Sequence, residues 1–539
     1  MSPFSDHLPH SFSSDTFLIY GGLAFLLVGA WHVIPWLLDP YGYRKNRIPG
    51  PLPAQFSDFW LGRVASQGHR SETVHGLHQR YGKFVRIAPN HISIADPDAL
   101  QIVYAHGNGA LKSEFYDAFV SIRRGLFNTR DRAEHTRKRK IVSHIFSQKS
   151  VLEFEPYIRI ALDKLIQQWG SLLSGDEKLA SHRLKPNEDD RVWFDCLNWY
   201  NYLAFDIIGD LAFGEPFGMI DAGADSAAVA VHDDNAANID AAKKKLEIIR
   251  VPAVKILNDR GEYSATMGCL PVWSRPYAKK LPWFAKGSKA VKNLAGIAIA
   301  AVDKRLATPT DRVDLLTRLQ QGKDEEGKPM GRSELTAEAL TQLIAGSDTT
   351  SNSSCAITYW LAKYPEAQRR LQKELDDALG DEEELPTYEQ IKRLSYLEAV
   401  VNEGLRIHST SSMGLPRIVA EGGLEVSGVF FPAGSILSVP SYTIHRDTGI
   451  WGPDPEVYRP ERWFEQDAEG IQKTFNPFSF GPRGCVGKNL ASMELLLIIA
   501  TIFQRFDFVL MDENQHLDTR EGFLRKPVSC CVGMKRRHT

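Results

Sequence analysis

The sequence predicts a mainly α-helical fold with small β-sheets, preceded by a single N-terminal transmembrane helix. Three observations carry this: an uncharged apolar run over residues 17–38, a body whose apolar residues recur mostly at helical spacing, and only short strand-like alternations. Of the 539 residues, 43% are hydrophobic and 24% charged, with 41 Gly and 29 Pro, which excludes disorder, collagen and coiled coil. A formal net charge of −2 at pH 7 removes the electrostatic reason to expect nucleic acid as a partner.

As a helix, the 22 residues 17–38 would span about 33 Å, enough to cross a lipid bilayer. The run exceeds the ~7–15 apolar residues of a cleaved signal peptide and no basic segment precedes it, so it reads as an anchor. Residues 1–16 hold Asp6 and Asp15 but no Lys or Arg, whereas Arg44, Lys45 and Arg47 follow the span. The positive-inside rule then makes 1–16 a short luminal N-terminus and leaves the body in the cytosol. Six cysteines, irregularly spaced, form neither a disulfide framework nor a paired zinc site, which agrees with a reducing compartment. Residues 39–54 are a proline-rich linker whose segment Ile48-Pro49-Gly50-Pro51-Leu52-Pro53 predicts no helix. The body, 55–539, reads as one unit, with strands over 84–87, 91–94 and 437–439 and surface excursions over 221–242 and 323–328.

Chemistry concentrates at four places. Residues 478–487, FSFGPRGCVG, form a glycine-punctuated loop running into an apolar helix over 489–503. This puts Cys485 at a helix N-terminus, where amide groups and the helix dipole lower a thiol's pKa, and the glycines let main chain approach a flat ligand. A thiolate ligand to haem iron needs both. A phosphate-binding loop is excluded: Pro482 stands where a glycine is required before Gly487-Lys488, and Asn489 replaces Ser or Thr. Glu403 and Arg406 share a helix face, in a helix opened by the capping box Ser395-x-x-Glu398. Residues 335–364 read as one helix of about 45 Å ending before Pro365. Its centre, AGSDTTSN at 345–352, sets a glycine, a carboxylate and hydroxyls among apolar flanks, which a purely structural buried helix would avoid. There Ala345 and Thr349 share a face, and Asp348 lies one step around, able to relay protons. His135 and Arg139 stand at i, i+4 beside Arg137, Lys138 and Lys140, a local basic cluster.

The ten-residue loop matches F-x-x-G-x-R-x-C-x-G at every fixed position, and through it the chain resembles the cytochrome P-450 superfamily of haem-thiolate monooxygenases. The resemblance implies the cytochrome P-450 fold, and haem b as cofactor with Cys485 as the metal ligand. It implies that Arg483, His135 and Arg139 contact the haem propionates and that Phe478, Gly481 and Gly487 complete the haem-binding loop. Glu403 and Arg406 match E-x-x-R, which Arg462 of Pro460-Glu461-Arg462-Trp463 completes as a structural network. Ala345 and Gly346 match the oxygen pocket; Thr349 is implied to hold dioxygen and its proton-delivering water, with Asp348 gating the protons. The resemblance also implies electrons from NADPH through NADPH-cytochrome P-450 reductase, whose acidic surface the basic cluster suits, and residence in the endoplasmic reticulum membrane.

Residues 113–147 and 194–219 lie largely outside these motifs and resemble the fungal benzoate 4-monooxygenases. That likeness implies para-hydroxylation of benzoate to 4-hydroxybenzoate with O2. An aromatic acid needs an apolar slot for its ring and donors for its carboxylate. Tyr116, Ser121, Arg123 and Arg124, in the loop implied to cover the haem, and Ser411, Ser412 and Met413, after the Glu403 helix, are candidates among which the sequence does not choose. A phenylpropanoid, terpenoid or fatty acid substrate would leave every haem motif unchanged. A non-oxygenating haem protein would have no need of Asp348 and Thr349.

Overall fold

The computed structural model describes residues 14–231, 247–308, 314–323, 326–380, 384–465 and 468–537. Most of residues 1–16, expected to be luminal, residues 232–242 of the first expected surface excursion and 324–325 of the second lie outside them. Helix α1, Ser14–Leu38, contains the 21 residues Leu18–Leu38, long and apolar enough to cross a membrane and unburied throughout. Its last turns dock on α2, Leu52–Phe56: His32 Nδ1 lies 2.9 Å from the Phe56 carbonyl, and the Trp36 indole donates to Gln55 Oε1 at 3.2 Å. The proline-rich segment therefore does contain helix. Pro51 caps α2 and Pro53 sits in its first turn, where the missing N–H has no intrahelical partner to lose. Nor is the linker free of the body, since the Arg86 amide donates to the Pro49 carbonyl at 2.7 Å and Tyr43 is buried.

A five-stranded sheet follows, built from β1 (Phe84–Ala88), β2 (His91–Ile94), β3 (Leu111–Lys112), β4 (Arg417–Ile418) and β5 (Ile436–Ser438), in the order β1-β2-β5-β4-β3. β3 and β4 run antiparallel with Lys112 opposite Arg417, a pairing that matters at the site. The helical body includes α3 (Arg132–Ile145), α4 (Cys196–Phe213), α5 (Ala253–Cys269), α6 (Arg332–Lys363), α7 (Pro365–Leu379), α8 (Ser395–Ile407) and α9 (Lys488–Arg505). α6 crosses the core and stops at Pro365, as its sequence predicts. It packs closely on α4, where a side chain at Gly346 would meet Ile208 at 2.7 Å. The apolar bulk lies among α4, α6, α8 and α9, with Trp169 and Trp199 fully buried.

Two local expectations change. α8 starts at Ser395 without a capping box; instead the Glu374 carboxylate of α7 accepts the Tyr396 and Leu397 amides at 2.9 and 2.8 Å. Within the stretch 221–242, Ala227–Val231 is a strand paired antiparallel with Glu247–Val251, and Ala227 and Val229 turn inward. This is the two-residue alternation of a half-buried strand, hidden in the sequence by its alanines. Toward the C-terminus the strand Cys531–Arg536 joins Phe506–Leu510 and Arg191–Asp195, and Arg537 pairs with Asp376 at 2.6 Å. All six cysteines are free thiols.

Candidate active site

The loop before α9 is fixed by its own backbone. Gly481 has φ +68, and a Cβ there would stand 1.9 Å from the Tyr104 carbonyl, so only glycine fits. The turn Gly481–Arg483 follows, and the Cys485 amide donates to the Phe478 carbonyl at 2.8 Å. From α3, Arg139 Nη1 donates to the Gly484 carbonyl at 2.6 Å. Gly487 caps α9 with ordinary backbone angles, and a Cβ there would reach nothing nearer than Phe146 at 4.0 Å, leaving open space beside the thiol.

Cys485 opens into a cavity of about 1440 Å³, mouth included. α6 supplies Leu340, Ile344, Ala345 and Thr349 to its wall; Phe478 and Arg483 come from the cysteine loop, and Phe119, Phe127 and Phe523 from three separate segments. The thiol is accessible from the cavity yet surrounded by protein, which reconciles its exposed surface with its desolvation. Burial pushes its pKa up, against the pull of the Gly487 amide, Arg139 and Lys488. The helix N-terminus alone therefore does not make the thiolate; a coordinated cation would, because it displaces the thiol proton outright.

A cluster of cations lies at the same cavity. Lys112 and Arg417 face each other across β3 and β4, like charges in direct register, which is unfavourable unless an anion answers them. Burial, with Arg417, Arg483 and Arg139 nearby, pulls the Lys112 pKa well down, and its Nζ donates to the Phe127 carbonyl. Arg417 Nη1 donates to the Tyr116 hydroxyl at 2.8 Å, and Arg483 Nη1 to the Thr129 carbonyl at 2.7 Å. His135 is buried beside them and pushed down to about 3 by burial and these charges, so it is neutral at physiological pH. Among the described residues none of Lys112, Arg417 and Arg483 has a carboxylate partner. A thiol facing an apolar cavity edged by unanswered cations suits a metal macrocycle bearing carboxylates.

The oxygen motif divides. Thr349 and Ala345 line the cavity, and Thr349 Oγ1 donates to the Ala345 carbonyl at 2.8 Å. Asp348 does not reach it: the carboxylate pairs with Lys526 at 2.5 Å, and Lys526 also donates to Asn258 at 2.6 Å. Gly346 faces α4 instead of the oxygen pocket, because the close packing on Ile208 consumes the space its missing side chain leaves. The E-x-x-R group forms as read. Glu403, Arg406 and Arg462 are each 0% exposed; Arg406 and Arg462 pair with Glu403 at 2.8 and 2.9 Å, and Trp463 Nε1 donates to it at 3.0 Å. Arg406 also donates to the carbonyls of His445 and Pro455, both at 2.7 Å.

The basic cluster of α3 divides, with Lys140 exposed and Arg137 and Lys138 turned to acids. Lys138 is buried against Glu334 and Glu338, and Arg137 pairs with Glu134 and Glu334, so their charges are spent inside the protein. The substrate candidates separate likewise. Tyr116, Ser121, Arg123 and Ser411 line the cavity. Arg124 is exposed and paired with Asp117 at 2.7 Å; Ser412 donates to the Ser409 carbonyl; Met413 is buried among Leu61, Val74 and Phe115. Sequence reasoning missed Lys112, Arg260 and Arg417: Lys112 and Arg417 had as signal a charge amid apolar neighbours, while Arg260, flanked by Asp259 and Glu262, reads as an ordinary solvated helix residue.

The cytochrome P450 family model matches residues 47–532. The chain belongs to the cytochrome P450 family. Among P450 relatives, it is 51% identical to benzoate 4-monooxygenase bphA of Aspergillus niger over 96% of this chain and 97% of that protein. It is 31% identical to the P450 monooxygenase atr2 of Stereocaulon alpinum over 86% and 85% of the two chains, and 29% identical to gsfF of Penicillium aethiopicum over 95% and 97%. As a P450 it uses haem held by a cysteine thiolate, and the thiol, cavity and cations described above fit that group.

Proposed function

We propose that this chain is a membrane-anchored haem-thiolate monooxygenase that para-hydroxylates benzoate to 4-hydroxybenzoate, with O2 and two electrons from NADPH. One oxygen atom enters the ring and the other leaves as water. The observation that carries the substrate is the 51% identity to a benzoate 4-monooxygenase across nearly the whole of both chains, against about 30% to other monooxygenases. The cavity supports it, offering aromatic walls at Phe119, Phe127 and Phe523 and cationic side chains beside them.

Haem would be held by Cys485, with Lys112, Arg417, Arg483, Arg139 and His135 around its propionates; when bound it supplies dioxygen activation. The protein's part is positioning and proton handling. Thr349 Oγ1 gives its own proton to the Ala345 carbonyl, so its lone pairs remain to accept from a water in the cavity. Asp348 passes protons toward that water after leaving Lys526, which ties proton entry to the movement of one ion pair. The apolar wall of α6 excludes other water. Electrons come through NADPH-cytochrome P-450 reductase, and α1 holds the enzyme in the endoplasmic reticulum membrane with its body in the cytosol.

The test is an optical titration with benzoate followed by turnover with reductase and NADPH. A saturable Soret shift and 4-hydroxybenzoate as product are expected. A haem protein that neither shifts nor turns over benzoate rejects the substrate.

A further inference from the structure

We infer that Arg260 of α5 is the anchor for the substrate carboxylate, an inference that rests on the benzoate reading. Arg260 lines the cavity and is 6% exposed. It donates from Nη2 to the Phe119 carbonyl at 2.8 Å, while its Nε is buried with no partner. Among the described residues it forms no ion pair. A buried guanidinium left unpaired is costly, and an arriving anion would relieve that cost. Burial draws its pKa down only to about 10, so the charge persists at neutral pH.

Its position separates it from the cations assigned to haem. Lys112, Arg417, Arg483 and Arg139 influence one another and His135, whereas the charged group felt at Arg260 is Asp348 of α6. The surroundings suit a benzene ring. Phe523 lies 5.1 Å from both Phe119 and Phe127, all three rings line the cavity, and the guanidinium stands 5.4 Å from the Phe119 ring. The other charged or phenolic candidates are already engaged: Arg123 is half-exposed and 3.9 Å from Glu334, Arg124 holds Asp117, and Tyr116 receives Arg417; Ser121, whose Oγ is buried without a partner, and Ser411 line the cavity but carry no charge. Lys112 also stands 4.5 Å from the Phe127 ring but gives a hydrogen bond to the Phe127 carbonyl, whereas Arg260 keeps a buried Nε without a partner, and that directional donor on an aromatic wall matches a small aromatic acid.

Benzoate and benzamide have the same shape and differ in charge, so titrating both by the Soret shift isolates the anchor. Wild type should bind benzoate at least about tenfold more tightly than benzamide. R260Q should lose at least about tenfold on benzoate and less than about threefold on benzamide, with R260K recovering much of the loss and R124Q, outside the cavity, close to wild type. Equal losses on both ligands, or R260Q binding benzoate as wild type does, would overturn the anchor. Should R260Q not retain haem, a crystal structure of the wild-type benzoate complex decides: the carboxylate on Arg260 supports the inference, the carboxylate elsewhere overturns it. If wild type neither shifts with benzoate nor hydroxylates it, the substrate reading itself fails, a result distinct from failure of Arg260 alone.

Discussion

Thr349 and Glu494 carry the two sharpest residue-scale predictions. T349A removes the hydroxyl that faces the cavity, so 4-hydroxybenzoate formed per NADPH should fall by about tenfold while NADPH oxidation continues. Unchanged coupling would remove Thr349 from proton delivery. Glu494 of α9 is buried, accepts from Thr350 Oγ1 at 3.0 Å, and is pushed up to about 8 by burial. From its ordinary value of 4.5 to about 8, the folded protein keeps a proton that the unfolded chain has released. Stability from this group therefore falls as pH rises, by about 1.4 kcal/mol per unit. E494Q should flatten the decline in Tm between about pH 5 and 8; parallel profiles for the two proteins would show that Glu494 does not titrate there. At this scale the sequence revealed what lies within one motif, such as Cys485 and Arg483. It hid what long-range packing assembles: Arg417 reaches Tyr116 across 301 positions, and the acids that neutralise Lys138 stand 196 and 200 positions away.

Among the elements, α8 has its N-terminus and its inner face set by groups on other elements. Its N-terminus is closed by Glu374, so E374A should destabilise the protein by about 1 kcal/mol, whereas S395A should cost well under that. Guanidinium midpoints of the two variants would reverse this order if the capping box operated. Its inner face presents Glu403 to two buried arginines, and removing either one breaks a buried ion pair and orphans the carbonyls that arginine held, at a cost of about 3–5 kcal/mol. R462M should therefore yield protein with much less bound haem, read from Soret absorbance per chain. The face was legible because three-residue spacing fixes it, while the cap was not, because a short-range pattern matched and a carboxylate on α7 won. The strand Ala227–Val231 was missed for a related reason: small residues blur the alternation that burial reveals.

On the scale of the whole molecule, α1 is joined to the body through Trp36, His32 and α2, so anchor and catalytic unit meet at a defined junction. A chain lacking residues 1–38 should leave the membrane pellet for the soluble fraction with its Soret spectrum preserved; loss of haem on truncation would make the anchor part of the fold. The single apolar run made this architecture readable from sequence, but not the contact with the body, because proline at the start of α2 resembles a linker. The register of β3 against β4 has a consequence for the living cell. With Lys112 set against Arg417 and Arg483 beside them, the newly made chain meets its own repulsion until haem arrives. Cells starved of haem should therefore degrade this protein faster than its message declines, and K112M should blunt that dependence.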